Sequence, residues 1–246
     1  MNDPRDAMLK YLRMGGLLAH WEPTLAAAAK GRFSHARLLD YVIEQEYKIK
    51  REHARQYRLQ RAHIPETLLM ETYPFQKQPK LNRKAILSVY DAFDYLPRAQ
   101  NIIWVGPSGC GKTGLAIAFL IDAINRGYSG RFVTFAELVG DLRAAAADYS
   151  EARALKPYLA CDCLLIDELG YIEIEPAQVG LFFSLMQRRH QKRPTLLTSN
   201  LGFDDWRAFL KNDHLTAALI DRLTANSYVF NMKNCDSLRP DPVPMP

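Results

Sequence analysis

The sequence predicts an α/β fold in which a mainly parallel sheet is covered by helices on both faces and follows a small all-α domain. From Asn101 onward, short apolar runs typical of buried strands alternate with helical stretches, which is the pattern of a parallel sheet. Residues 1–72 instead carry helical stretches. The chain has 246 residues, 48% of them hydrophobic, which is enough for one or two domains with a sizeable core.

The N-terminal helical domain is expected over residues 1–72. Its longest predicted helix begins at Ser34, whose hydroxyl suits an N-cap, and continues to Arg61 without an internal Pro or Gly. Pro65 is expected to mark its end, because the residue before a proline disfavours helical backbone. Residues 73–100 are expected to form a linker containing one short helix, Arg83 to Tyr95.

Residues 101–239 are expected to form the second domain. The apolar run Ile102–Val105 is predicted to be a strand, followed by a helix from Lys112 to Asn125. Further strands are predicted at Arg131–Phe135, Cys163–Ile166, Thr195–Thr198 and Ser227–Asn231. Residues 240–246 have Pro at every second position and are expected to be a disordered tail.

The net charge of +5 comes from the first third of the chain. Residues 1–80 carry 14 Lys and Arg against 9 Asp and Glu, whereas the remaining residues carry 18 of each. This asymmetry indicates an acidic partner such as nucleic acid. No apolar stretch reaches the ~18 residues of a membrane span, and the start is charged where a signal peptide is apolar. A cytoplasmic protein with reduced cysteines and no membrane partner is therefore expected.

A phosphate-binding loop is predicted at Gly106 to Thr113, which match the pattern G-x-x-x-x-G-K-[ST] between a strand and a helix. The glycines allow backbone N–H groups to converge on phosphate oxygens. Lys112 is expected to reach the β- and γ-phosphates, and Thr113 to bind Mg²⁺. The predicted nucleotide contacts are Gly106, Pro107, Ser108, Gly109, Cys110, Gly111, Lys112, Thr113 and Gly114.

Two carboxylates follow the buried strand at 164–166. Asp167 is expected to hold Mg²⁺ through water, and Glu168 to orient and deprotonate a water that attacks the γ-phosphate. Solvated acids at a strand end give the same pattern, but the upstream phosphate loop favours a functional site. A kinase would need its phosphoryl acceptor in place of this water, so the pair favours hydrolysis.

Three further polar residues are candidates for the site. Asn200 can place the water or close an Asx turn after its strand. Arg222 can pair locally with Asp221 or a helix C-terminus, or act as an arginine finger on the nucleotide of a neighbouring subunit. Arg239 precedes the tail, where a solvated position is the default.

One face of the predicted helix that ends at Arg61 is basic. Such a stripe suits sequence-independent contact with phosphate backbones, although a charge run is also typical of a solvated face. The charge excess in the first third favours contact with DNA. The predicted DNA-binding residues are Lys48, Arg51, Arg55 and Arg58, at helical spacing, with Lys50 and Arg61 beside them.

Taken together, these motifs resemble those of the IstB-type insertion-sequence helper proteins, AAA+ ATPases related to DnaC and DnaA. The resemblance covers about Tyr11 to Arg239. Beside the phosphate loop, it is carried by Asp-Glu-Leu-Gly-Tyr at 167–171, Thr-Ser-Asn-Leu at 198–201, Phe-Asp-Asp-Trp at 203–206, Asp-Arg-Leu at 221–223 and Tyr-Val-Phe at 228–230. In the N-terminal part it is carried by Leu-Arg-Met-Gly-Gly at 12–16 and by the basic helix.

The resemblance implies a P-loop AAA+ ATPase that binds ATP and Mg²⁺ and forms homo-oligomers on duplex DNA. It further implies that the protein remodels this DNA and recruits and activates a partner transposase. Asp167 and Glu168 would be the Walker-B pair, Asn200 sensor 1, and Arg222 the finger acting in trans. Arg239 would be sensor 2, where family members tend to carry Glu-Ser-Tyr-Arg and this chain has Asp-Ser-Leu-Arg at 236–239.

Other functional classes fit the sequence less well. A DnaC-type replicative helicase loader would share the ATPase core, and only the N-terminal third, which such a loader uses to grip a helicase, would differ. A small-molecule kinase is disfavoured by the pair Asp167–Glu168. A purely structural module leaves two nucleotide motifs in the correct order unexplained.

Overall fold

The N-terminal part of the chain is helical, as the sequence predicts. The computed structural model describes residues 3–148 and 150–239, and the expected tail at 240–246 lies outside them. The chain divides into two compact units, Met1–Tyr57 and Arg58–Pro246. The N-terminal helices are α1 (Pro4–Tyr11), α2 (Gly15–Ala19), α3 (Trp21–Lys30) and α4 (His35–Arg61).

Local hydrogen bonds fix two helix starts in the first unit. The Ser34 hydroxyl accepts from the backbone N–H of Arg37 at 3.2 Å, as expected of an N-cap for α4. The buried Glu46 carboxylate accepts from the backbone N–H of Leu17 at 2.9 Å and so satisfies the first turn of the short helix α2. Gly16 lies directly against this carboxylate.

Residues 62–81 pack within the second unit. Ala62, Met70 and Leu81 are buried in the same apolar cluster as residues of the later helix that follows the phosphate loop. The backbone N–H of Phe132 donates to the carbonyl of Ala62 at 2.7 Å. The boundary between the two compact units, at residue 58, therefore lies before the domain boundary expected at residue 72. The reason is that the apolar residues that follow α4 are buried in the second unit.

The second unit is built around a five-stranded sheet in the order β2-β3-β4-β1-β5, in which all pairs are parallel. Its elements in chain order are α5 (Arg83–Ala92), β1 (Asn101–Val105), α6 (Lys112–Asn125), β2 (Gly130–Thr134), α7 (Phe135–Asp148), α8 (Glu151–Ala160), β3 (Cys163–Leu169), α9 (Pro176–Arg189), β4 (Thr195–Ser199), α10 (Trp206–Leu210), α11 (Asp213–Thr224) and β5 (Ser227–Asn231). The strands predicted from the sequence are present within a few residues at either end.

Apolar clusters cover the two faces of this sheet. Ile102 and Trp104 of β1 pack in a cluster with α6, whereas Ile103 and Val105 pack in a second cluster with α7, α8 and α9. Successive side chains of β1 thus pack on opposite faces of the sheet. The predicted sheet covered by helices on both faces is confirmed. Among the described residues, every helix is too short or too polar to cross a membrane.

The parallel sheet brings the carboxyl ends of β1, β3 and β4 to one edge. The register pairs Trp104 with Thr198 and Ile166 with Leu197. In open parallel sheets, ligands bind in the crevice beyond these strand ends, where the strand order reverses. Such a reversal occurs here at β1, which lies between β4 and β5 although it comes first along the chain.

Replacing Gly16 with Ala should destabilise the first unit by about 1 kcal/mol, because a Cβ there would displace the Glu46 carboxylate from the α2 start. That Cβ would lie 2.7 Å from the Glu46 oxygen that accepts the Leu17 N–H, and 2.6 Å from Ile49 Cδ1. Thermal unfolding followed by circular dichroism measures the change.

The matched control is Gly15→Ala, because a Cβ at Gly15 meets nothing within 4 Å. Ala is the better helix former, so this variant should be neutral or slightly stabilised. Equal melting temperatures for the two variants would contradict the packing of Gly16 on Glu46.

Candidate nucleotide-binding site

The loop Gly106–Thr113 joins β1 to the N-terminus of α6. Gly109 and Gly111 have φ of +81° and +94°, a left-handed conformation that favours glycine. At Gly111, a Cβ would lie 2.5 Å from the Tyr73 hydroxyl, and at Gly106 it would lie 2.8 Å from the Met232 backbone. The glycines at both ends of the motif are therefore required by the fold as well as by the close approach of a phosphate.

Lys112 is held at the mouth of this loop. Its ammonium donates to the carbonyls of Gly106 and Pro107, both at 2.7 Å. Burial lowers the pKa of Lys112, and the nearby carboxylate of Asp167 opposes that shift. A cation kept partly desolvated beside a helix N-terminus suits the binding of an anion.

Thr113 and Asp167 are brought together, as the sequence predicts for a magnesium site. The Thr113 hydroxyl donates to Asp167 at 2.9 Å, and Asp167 is only 4% exposed. Burial raises the pKa of Asp167, while hydrogen bonds from Thr198 and Thr113 lower it. Among the described residues, no group of three or more His, Cys, Asp or Glu side chains is arranged so that it could hold a metal ion. A hydroxyl and one carboxylate fit Mg²⁺, which is commonly bound by one or two carboxylates with substrate phosphates and water.

Glu168 is turned out of the strand by a distortion of β3. The pairing of β3 with β4 shifts between Ile166 and Leu169, and Glu168 between them has a left-handed φ of +62°. This conformation costs a non-glycine residue about 1–2 kcal/mol. Asp167 and Leu169 remain buried while Glu168 is exposed and lines the cavity beside the phosphate loop. A general base needs this access to water.

Thr198 contacts both acidic residues, a role that its place in the sequence does not predict. Its hydroxyl donates to Asp167 Oδ1 at 2.5 Å and accepts from the backbone N–H of Glu168 at 2.9 Å. The signal in the sequence was a polar residue at the carboxyl end of a buried strand. That signal can be used only once β4 is known to lie beside β3.

The predicted sensor-1 residue, Asn200, lies beside Gly170. Its amide oxygen is buried there without a hydrogen-bond partner among the described residues.

The phosphate loop, Glu168 and Thr198 line a cavity of about 640 Å³. The Tyr171 hydroxyl donates to the Ser108 hydroxyl at 2.9 Å on one side of it. The predicted sensor-2 residue, Arg239, lines the cavity and is exposed. The other lining residues are Glu66, Gly109, Gly111, Lys112, Thr113, Glu168, Thr198 and Leu238.

The predicted residues Cys110, Gly114 and Arg222 are among those that do not line this cavity. Cys110 is fully buried below the loop, and Gly114 has space for a Cβ, 3.7 Å from Leu68. Arg222 donates to the carbonyl of Ala218 at 2.9 Å, and its guanidinium lies 4.8 Å from the centre of the Phe183 ring. Arg222 is thus packed on its own helix and on α9.

The basic residues of α4 differ in their pairing. In the first unit, Lys48 and Arg51 are exposed, whereas Lys50 lies 3.8 Å from Glu46. Arg55 makes an ion pair with Glu52 at 2.7 Å, and this pairing lowers the pKa of Glu52 to about 2. In the second unit, the predicted residues Arg58 and Arg61 are half-buried and exposed respectively.

The chain matches one known protein family along most of its length. The family model of the IstB-like ATP binding proteins matches residues 7–241. The chain belongs to this family. A relative named as an ATP-binding protein of insertion sequence IS21, from Pseudomonas aeruginosa, is 32% identical over 93% of the chain and 86% of the relative. The corresponding protein of insertion sequence IS5376, from Geobacillus stearothermophilus, is 30% identical over 90% of the chain and 88% of the relative.

Solved structures share the fold of this IstB-like chain. A crystal structure of DnaI has a TM-score of 0.53 at 21% identity and covers 61% of the chain and 85% of that structure. The DnaC helicase loader has the same score and identity, covering 61% and 87%. AMPPCP-bound DnaA from Aquifex aeolicus has a TM-score of 0.51 at 20% identity, covering 63% and 48%. These likenesses confirm the predicted AAA+ fold.

Replacing Thr198 with Val should lower ATP turnover about tenfold or more, because it removes the donor to Asp167 and leaves the Glu168 N–H without its acceptor. The Michaelis constant for ATP should change little, since the phosphate loop is untouched. Steady-state hydrolysis assays separate kcat from KM. Thr198→Ser keeps the hydroxyl and should restore most of the turnover; a serine variant as slow as the valine variant would contradict this role.

Proposed function

We propose that this IstB-like protein is an ATP-dependent, DNA-binding transposition helper that hydrolyses ATP. The observation that carries the ATPase proposal is the meeting of Lys112, Thr113, Glu168 and Thr198 around one cavity, where the Thr113 and Thr198 hydroxyls both donate to the buried Asp167. Such an edge with a phosphate loop is a nucleotide site. The family supports ATP as the nucleotide, because its relatives are named as ATP-binding proteins of insertion sequences.

Each residue has a role that follows from its place. The loop N–H groups and Lys112 bind the phosphates, and Thr113 with Asp167 would hold Mg²⁺. When bound, Mg²⁺ supplies positive charge that offsets the charge of the phosphate oxygens. Glu168 accepts a proton from the attacking water, whose oxygen forms the new bond to the γ-phosphorus as the bond to the ADP oxygen breaks.

DNA binding is assigned to the basic face of α4. Lys48 and Arg51 in the first unit are exposed, so they are accessible to phosphate oxygens. Contacts of this kind fix a protein on a duplex without reading its sequence. We expect the DNA-bound protein to form ATP-dependent homo-oligomers, in which Arg222 reaches the nucleotide of a neighbouring subunit, and to recruit and activate a partner transposase.

Glu168→Gln should lower ATP hydrolysis by about 10²-fold or more while leaving ATP binding intact, because the amide no longer accepts the proton from water. Fluorescence titration with an ATP analogue and a phosphate-release assay measure the two quantities. Glu66→Gln is the matched control, the same exchange at another acid that lines the cavity. An unchanged hydrolysis rate in Glu168→Gln would remove Glu168 from the mechanism.

Changing Lys48 and Arg51 together to Glu should weaken binding to duplex DNA and reduce the slope of log K against log salt by about two, one for each lost phosphate contact. Fluorescence anisotropy with ATP, ADP or no nucleotide, across a salt series, measures this. Wild-type binding should be cooperative and require ATP.

The control exchanges Lys10 and Lys30 for Glu, which makes the same charge change at exposed positions in the same unit. If this pair weakens binding as much, α4 is not the DNA-binding surface. Nucleotide binding without duplex affinity, together with capture of a replicative helicase, would instead favour a loader of the DnaC type.

A further inference from the structure

Gln78 is a buried amide that joins three segments distant in sequence. It lies in the linker between α4 and α5 and is only 2% exposed. Its Nε2 donates to the carbonyl of Asp236 at 2.6 Å and to the carbonyl of Cys110 at 3.2 Å. Its Oε1 accepts from the backbone N–H of Asp236 at 3.2 Å. The linker, the phosphate loop and the C-terminal segment therefore meet at one side chain.

Among side chains of this length, only an amide satisfies all of these partners. Two carbonyls need donors and one N–H needs an acceptor, and a primary amide offers both on one rigid plane. A Glu at this position would still accept the Asp236 N–H, but it would place an acceptor oxygen, in place of Nε2, against both carbonyls. The nearby pair Lys80–Asp236, at 3.3 Å, is exposed at both ends and is screened by salt.

The segment held by Gln78 is the one that carries Arg239 to the cavity. Next to Asp236, the Ser237 hydroxyl lies 2.7 Å from where a Cβ of Gly109 would be. The backbone N–H of Leu238 donates to the carbonyl of Gly109 at 2.9 Å. Leu238 and Arg239 then line the cavity. The Gln78 amide thus fixes the start of a short run of chain that ends at the phosphate site.

We propose that Gln78 is a positioning residue for nucleotide binding, which clamps residues 236–239 to the phosphate loop and thereby places Arg239 at the bound phosphates. This inference rests on the proposed ATP site. It adds a requirement that the phosphate-loop and Walker-B motifs do not contain. Gln78 itself touches no nucleotide in this scheme and acts through Arg239.

Gln78→Met tests the clamp, because it keeps the side-chain length and removes both kinds of hydrogen-bonding atom. ATP affinity should fall about tenfold, as expected for the loss of two or three buried hydrogen bonds that order the segment. Arg239→Ala should have an effect of similar size. The double variant should bind ATP no more weakly than the weaker-binding of the two single variants, since both changes remove the same contact. Titration with a fluorescent ATP analogue measures all three.

The matched control is Gln76→Met, the same exchange at an exposed linker glutamine. It should bind ATP as the wild type does. Gln78→Glu is the second variant, should the methionine variant not fold; it loses only the donors and should also bind ATP about tenfold more weakly. If the losses of ATP affinity from Gln78→Met and Arg239→Ala add up in the double variant, Gln78 does not act through Arg239, and the proposal is overturned.

Hydrogen–deuterium exchange without nucleotide gives a second readout. In Gln78→Met the backbone amides of Asp236 and Leu238 should exchange faster, while those of β1 and β4 should be unchanged. Exchange at 236–239 equal to the wild type would overturn the proposal. Failure of the wild type to bind ATP would instead refute the proposed function, so the two failures are distinguishable.

Discussion

The buried carboxylate of Asp167 is the constraint on which the arrangement of the site depends. A charged group taken out of water costs several kcal/mol unless hydrogen-bond donors offset the loss. Here the donors are two hydroxyls, Thr113 from the first turn of α6 and Thr198 from the end of β4. They reach Asp167 only because β4 lies between β1 and β3 in a parallel sheet with this register. The site is therefore a consequence of the strand order. In turn, the hydrogen bonds to Asp167 help to hold β3 beside β4 and α6.

The distortion of β3 allows one of two adjacent acids, Asp167, to be buried and the other, Glu168, to be exposed. In a regular strand Glu168 would point to the same face as Ile166, which packs in the apolar cluster with α7 and α9. Ionised and unpaired, it would be unstable there. The left-handed backbone at Glu168 turns the side chain to solvent while Leu169 stays buried, and the Thr198 hydroxyl accepts the N–H that the distortion frees from the ladder.

The sequence is informative where the chemistry is local. Lys112 and Thr113 share one loop, and Asp167 and Glu168 are neighbours, so their spacing predicted that they act together. The structure brings Lys112, Thr113 and Glu168 to one cavity and joins Asp167 to Thr113 by a hydrogen bond. Apolar alternation likewise predicted the strands. Thr198 and Gln78 could not be found in this way, because their partners lie about 30 to 158 residues away along the chain. Strand order and burial decide those contacts, and neither is encoded in short-range spacing.

The phosphate loop explains why such distant contacts are needed. A loop that turns its N–H groups toward phosphate turns its carbonyls the other way, and a buried carbonyl without a donor costs about 1–3 kcal/mol. The Gly109 carbonyl receives the N–H of Leu238, and that of Cys110 receives the Gln78 amide and, at 3.4 Å, the Tyr73 hydroxyl. The back of the loop is thus closed by the linker and by the C-terminal segment. Because the same bonds set the loop's peptide planes and hold the segment bearing Arg239, nucleotide affinity and the order of both segments must be thermodynamically linked.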